Sequence, residues 1–391
     1  MDRGEASALD FLSPEEMADP SVTIRRLYAG DRCRLYEKFE PPFFVVSRFE
    51  DVNHVLMNPT RFLSGHGQGP NFVAPAGIVS DPPMHTFFRR LVQDDFKPGA
   101  IAALRPRLQA IADDLLDAVA GRDAWDLHDD FAFPLPVTII CEIFGIPTDD
   151  LAQFKMWSDV AVAALSAQDP AGYEAELQRM AGYLLDLVRA KRGSPDDGSL
   201  AARIARARRD GGTITDEDAV NLIVQLFVAG NETTTSLITN AMMRLLADGG
   251  QWRAFCAGDV DMNRLINESL RFDPPLLAMF RTTAADETIA GTPIPAGTKV
   301  MVHYAAANRD PDVCPEPGVF DVHRSVRKIM SFALGIHFCI GAELAKLEAQ
   351  VMLQALRRRC PDLSMIDAGE RIGPFLFWGR RKLPVRSGIR P

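Results

Sequence analysis

Hydrophobic and polar positions follow the period of a helix along most of this chain. Ala100–Val119, Ala171–Ala190 and Glu343–Arg358 each repeat apolar residues at spacings that put them on one helix face. A longer segment, from about Thr215 to Leu246, predicts a helix about 45–50 Å long, enough to cross a whole domain. Thr215 with Asp218 three positions on is a capping pair for its start. Strand-like pieces occur at Phe43–Ser47, Lys299–His303, Phe375–Trp378 and Lys382–Val385. The polar stretches Lys191–Gly198 and Arg208–Gly212 read as surface loops. The expected class is mostly α, with small sheets at the edges.

Composition adds boundaries. A chain of 391 residues with 47% hydrophobic and 24% charged residues can bury a large core. A net charge of −9 argues against non-specific nucleic-acid binding. Met1–Pro20 lacks a basic flank before an apolar run, and no long uninterrupted apolar stretch occurs, so neither a signal peptide nor a membrane span is expected. The expected compartment is the cytoplasm, with six scattered cysteines as free thiols.

Only Cys339 among those cysteines has surroundings that explain it. It stands in Ser331-Phe332-Ala333-Leu334-Gly335-Ile336-His337-Phe338-Cys339-Ile340-Gly341, directly before a helical pattern. Free backbone N–H groups and the positive end of a helix dipole favour a thiolate there. A lone thiolate cannot build a zinc site or an iron–sulfur cluster, but it can be the one axial ligand of a haem. Gly335 and Gly341 permit a tight turn and close approach to a flat macrocycle. Phe332 could keep water off the sulfur, and His337 could reach an acidic group of the same ligand.

The long helix has an unusual middle, Ala229-Gly230-Asn231-Glu232-Thr233-Thr234-Thr235. Glycine there costs about 1 kcal/mol against alanine, and threonine is also a poor helix former. Elsewhere, Glu268 and Arg271 are spaced to pair on one helix face, as are His85 and Arg89.

Taken in order, these segments resemble the cytochrome P450 family in its soluble bacterial form. The similarity runs from roughly Phe43 to the C-terminus and implies one P450 domain over 1–391. The cysteine loop matches Phe-x-x-Gly-x-His-x-Cys-x-Gly, which implies Cys339 as proximal ligand of a b-type haem; Ala333 departs from the glycine of many relatives. Glu268-Ser269-Leu270-Arg271 matches the Glu-x-x-Arg helix, a structural element with Arg324 as third member. The resemblance implies His85, Arg89, Arg281 and His337 as partners of the haem propionates. It implies that Ala229 and Gly230 face the haem. Glu232 and Thr233 are then the acid–alcohol pair beside the distal haem face, relaying protons that let the O–O bond break.

The implied activity is oxygen insertion into a small hydrophobic substrate such as a terpenoid, steroid, fatty acid or aromatic. Electrons would come from a separate ferredoxin and its reductase, docking on a basic face drawn from Arg89, Arg90, Lys97, Arg327, Lys328 and Lys346. By position, the substrate pocket is lined by Phe72, Val73, Ile78, Gln225, Val228, Ala229, Leu276, Leu277, Met279, Phe375 and Leu376. The alternatives are a haem-thiolate catalyst of peroxide-driven or coupling chemistry, a non-catalytic haem sensor, and a cofactor-free helical binding protein.

Overall fold

The computed structural model describes residues 9–148 and 151–389. Its axis is the helix Asp216–Ala247, 32 residues long. The Thr215 hydroxyl accepts from the Asp218 N–H at 3.0 Å, and Asp216, Glu217 and Asp218 complement the dipole in the first turn. The threonines of its middle are tolerated because their hydroxyls find carbonyls: Thr233 donates to Ala229, and Thr235 to Asn231 and to Ala132 of a neighbouring turn. Against this helix pack Glu174–Gly193, Pro134–Phe144, Leu151–Ser166 and Ala342–Arg359. The principal core lies between them, with Phe131, Leu135, Phe144, Leu222, Ile238 and Met352 fully buried.

A five-stranded sheet forms one edge, in the order Cys33–Tyr36, Phe43–Val46, Lys299–Val302, Met279–Thr283, Phe62–Leu63. Lys299–Val302 runs parallel to Phe43–Val46 and antiparallel to Met279–Thr283. Phe43 and Phe280 meet edge to face at 4.8 Å and begin a second core.

Several elements differ from their predicted form. The helix expected over Ala100–Val119 is two, Pro98–Ala103 and Arg105–Val119, because Pro106 lacks an N–H and starts the second at its first turn. The helix expected at Ala171 opens as a short tight turn and becomes α-helical at Glu174. The helix Glu174–Gly193 continues into the expected loop at Lys191, and Arg208–Gly212 belongs to a small hairpin. Phe375–Trp378 is not a strand; only Phe377 pairs, with Leu276. Lys382–Val385 is split between two strands that bond different partners. In these short pieces tertiary partners override local propensity.

Buried between the helix Met262–Phe272 and the segment after it lies a charged knot. Arg271 holds both oxygens of Glu268 at 2.7 Å, and Arg324 adds a bond to Glu268 at 3.2 Å. Arg271 also donates to the carbonyls of Pro317 and Val319. The knot therefore ties an irregular segment to a helix.

Candidate haem cavity

Cys339 is positioned by a closed loop. Its N–H donates to the Phe332 carbonyl at 2.8 Å, and the helix Ala342–Arg359 begins three residues later with Gly341 as its cap. Gly335 takes φ +70°, and a Cβ there would lie 2.8 Å from the Leu56 carbonyl oxygen, so only glycine fits. A Cβ on Gly341 would meet no protein atom, which leaves the space beside Cys339 open. Ala333 takes φ +55°, the left-handed region where an L side chain costs about 1–2 kcal/mol. Ala333→Gly is therefore expected to stabilise the protein by up to about 1 kcal/mol after the entropy of glycine is subtracted. Chemical unfolding of the two proteins measures this.

A cavity of about 230 Å³ separates the cysteine loop from the central helix. Cys339, Phe332, His337 and Gly341 line one side; Ala229, Gly230, Thr233 and Thr234 line the other, with Leu276, Met279 and Arg281 at the margin. Cys339 presents its surface to this cavity while remaining enclosed by protein. Burial pushes its thiol up; the Gly341 N–H and Arg89 pull it down without prevailing. Burial therefore opposes the thiolate that the helix N-terminus favours.

At one end of the cavity four basic side chains gather. His85 and His337 stand 4.5 Å apart, ring to ring, and the Nε2 atom of each is buried with no partner. Burial lowers the His85 pKa, and burial with Arg281, His85 and Arg89 nearby drives His337 to about 3. Arg89 donates to the Phe338 carbonyl and Arg281 to the Phe280 carbonyl, and neither has a carboxylate in salt-bridge reach among the described residues. Two orphaned imidazole nitrogens and two guanidiniums without an acid are what an anionic group at this end would satisfy. A haem, with two carboxylates on one edge and one open axial position for sulfur, fits that donor set.

Glu232 is not beside Thr233 in this cavity. Successive helix residues are about 100° apart, and the two side chains enter different cavities: Thr233 the one above, Glu232 a second, of about 480 Å³. Thr233 donates to the Ala229 carbonyl at 2.7 Å, so its oxygen is free only to accept. Glu232 is buried and accepts from Ser236 at 3.0 Å; burial raises its pKa to about 7.

Most of the expected substrate lining lies elsewhere. Leu276, Met279 and Ala229 reach the haem cavity. Phe72 and Val73 are exposed, and Lys299 sits over the Phe72 ring. Gln225 accepts from the Ile78 N–H and donates to the Ala76 carbonyl, so it fastens a loop rather than a ligand. Ile78 and Val228 pack against the core. Leu277 donates its N–H to the Leu376 carbonyl, and both side chains are core. Phe375 lines the second cavity instead. Sequence position places a segment near a site, but the direction of a loop side chain comes from what it packs on.

Among the cavity residues that the sequence did not point to, two carry ionisable side chains. Glu348 is fully buried with neither carboxylate oxygen bonded, and burial raises its pKa to about 8. Its signal was an acid within the apolar stripe Leu344, Leu347, Val351. Tyr304, beside Arg281, had no signal: it lies in a five-residue helix without periodicity.

Fold and cavity define a mostly α-helical protein with one cysteine facing a cavity whose basic groups suit an anionic cofactor. The family model described as Cytochrome P450 matches residues 262–361. Cytochrome P450 monooxygenase PikC of Streptomyces venezuelae is 36% identical, over 97% of this chain and 93% of that protein. Vitamin D(3) 25-hydroxylase of Pseudonocardia autotrophica is 34% identical, over 97% of each. The crystal structure of CYP109E1 from Bacillus megaterium in complex with testosterone superposes with a TM-score of 0.87 at 30% identity, over 96% of this chain and 99% of that one. This chain belongs to the cytochrome P450 family and is a P450 monooxygenase. No helix of the described residues is long and apolar enough to cross a membrane.

Proposed function

We propose that this protein is a cytoplasmic monooxygenase whose b-type haem is ligated by Cys339 and that it hydroxylates or epoxidises a rigid hydrophobic molecule of steroid-like or macrocyclic size. The observation that carries this reading is the single cysteine facing a cavity, with two buried, unpartnered imidazole nitrogens, those of His337 and the adjoining His85, near it. His85, Arg89, Arg281 and His337 would hold the propionates, and Cys339 would supply the axial thiolate. When bound, the haem supplies the redox chemistry: two electrons and two protons convert dioxygen and substrate to oxygenated product and water.

The chain's own groups shape that reaction. Leu276, Met279 and the small residues Ala229 and Gly230 give substrate an apolar surface beside the cofactor. Phe332 is 8% exposed and screens the sulfur. Thr233 accepts a hydrogen bond at the cavity, and Glu232 holds the proton to be delivered there. Relatives named Erythromycin C-12 hydroxylase and Vitamin D(3) 25-hydroxylase, and a similar solved structure in complex with testosterone, support a bulky cyclic substrate. Free thiols at all six cysteines suit a reducing compartment.

Electrons would arrive from a separate acidic ferredoxin on the cysteine-loop face. Arg90 and Arg327 are exposed, as are Ile336 and Phe338 of the cysteine loop. Arg89 turns inward and Lys97 is bonded to Asp94 at 2.6 Å, so neither belongs to that patch. Lys328 and Lys346 sit over Phe49 and Phe332.

The test is reconstitution with a surrogate ferredoxin and reductase across a hydrophobic panel, scored as product gaining one oxygen atom. Thr233→Ala is expected to keep NADH consumption while product per NADH falls about tenfold or more, with peroxide accumulating. Unchanged coupling would remove Thr233 from proton delivery. A wild type without turnover on any compound would favour a sensor.

A further inference from the structure

A third cavity, of about 690 Å³, lies where the helix Pro20–Ala29 meets the end of the central helix and the strand Arg380–Lys382. It shares no lining residue with the haem cavity. Its wall is basic: Arg25, Arg244, Arg309 and Arg380 line it, and Asp19 is the one acid among the lining residues. Behind the wall is Asp273, 2% exposed, which accepts from Arg244 at 2.6 Å and from Arg309 at 3.1 Å. Four guanidiniums thus stand against two carboxylates. The Asp19 carboxylate also caps its helix by accepting the Ser21 N–H at 2.9 Å.

Arg309 is fully engaged by the fold, since it also donates to the Phe272 carbonyl and the Ser21 hydroxyl. Two other groups are not. Arg380 is 8% exposed and donates to the Ala368 carbonyl, yet no carboxylate lies in salt-bridge reach of it among the described residues. Trp378, 3% exposed, lines the cavity with its indole N–H buried and without a partner. Arg371 lies 3.3 Å from the Trp378 ring centroid and adds a further cation, whose Nε is also buried and unpartnered. Burial lowers Arg309 to about 10 and Arg371 to about 9, so both stay charged at neutral pH. Buried donors and surplus cations are costly unless an anionic acceptor joins them. Ile24, Met243, Phe272 and Pro317 make the rest of the wall apolar.

We propose that this cavity is a binding site, separate from the haem, for a phosphate monoester with an apolar body. The surplus of two positive charges matches a phosphate group, which carries about −1.5 to −2 at neutral pH, better than a single carboxylate. Arg380 and Arg25 would pair with its oxygens through charge-assisted hydrogen bonds, and the Trp378 N–H would donate to one of them. The apolar body would lie against Ile24, Met243 and Pro317. The site binds and does no chemistry, and it stands independently of the monooxygenase reading.

The test titrates hexyl phosphate and inorganic phosphate into the full-length holoenzyme by calorimetry, while the haem absorption band is followed. Wild type is compared with Arg380→Gln and Arg25→Gln. Hexyl phosphate is expected to bind at one saturable site without moving the haem band. Its affinity should fall about tenfold in Arg380→Gln and several-fold in Arg25→Gln. Arg25 is exposed, so its variant stands in if Arg380→Gln does not fold. Inorganic phosphate should bind more weakly, for want of the apolar contacts. No saturable heat in wild type, or equal affinity in both variants, overturns the site. A haem band that shifts in step with the heat places the ligand in the haem cavity and overturns it too. Equal affinity for the two phosphates overturns the apolar half of the proposal and makes free phosphate the ligand.

Discussion

Cys339→Ser is expected to yield a folded protein without the strongly red-shifted carbonyl band of a thiolate-ligated haem and with turnover below detection. The fold should survive because the loop is closed by the backbone of residue 339, whose N–H bonds Phe332, and not by its sulfur. The chemistry should not survive. The hydroxyl of serine ionises far above neutral pH and is a poor ligand for this iron, and no other cysteine lines the cavity. Spectra of the reduced protein under carbon monoxide measure the first expectation, and thermal unfolding checks the fold. A variant that kept the wild-type band would show that the iron is held elsewhere.

The second large effect belongs to stability. Glu268→Ala is expected to lower unfolding free energy by about 3–5 kcal/mol, a large part of the usual 5–15 kcal/mol. Glu268 is 0% exposed and accepts from Arg271 twice, from Arg324 and from the Asp321 N–H. Truncation would leave Arg271, itself 1% exposed, as an uncompensated buried charge. Replacing both members of a buried pair with apolar residues often restores stability. Here Glu268→Leu with Arg271→Met should restore it only in part, because Arg271 also satisfies the carbonyls of Pro317 and Val319. Urea unfolding of the single and double variants measures both; full recovery would mean those carbonyls contribute nothing.

Much of the fold was legible before any coordinates. The central helix begins within a residue of its expected start because Thr215 caps it, and the helix after Cys339 follows its apolar period. Short strands were less legible, since two or three residues carry no period of their own. Within the cavity, Cys339, Thr233 and the four basic groups stand on segments with local signatures, and the structure brings them to one place. Gln225 shows the limit: an amide at a pocket-facing register was captured by two backbone groups of a loop.

The sequence alone carried the motifs that resemble the family, a cysteine in a Gly-punctuated turn before a helix, and an acid next to an alcohol on one helix. Those are properties of local order, where a capping pair, a helical period or a Gly-punctuated turn acts within a few residues. Which way each side chain points was decided only by tertiary packing. Glu232 and Thr233 are neighbours in sequence, yet their helix is buried on all sides. The rotation between them turns one to the cavity that Cys339 lines and the other to the cavity that His128 lines, so the surroundings of each depend on segments more than a hundred residues away.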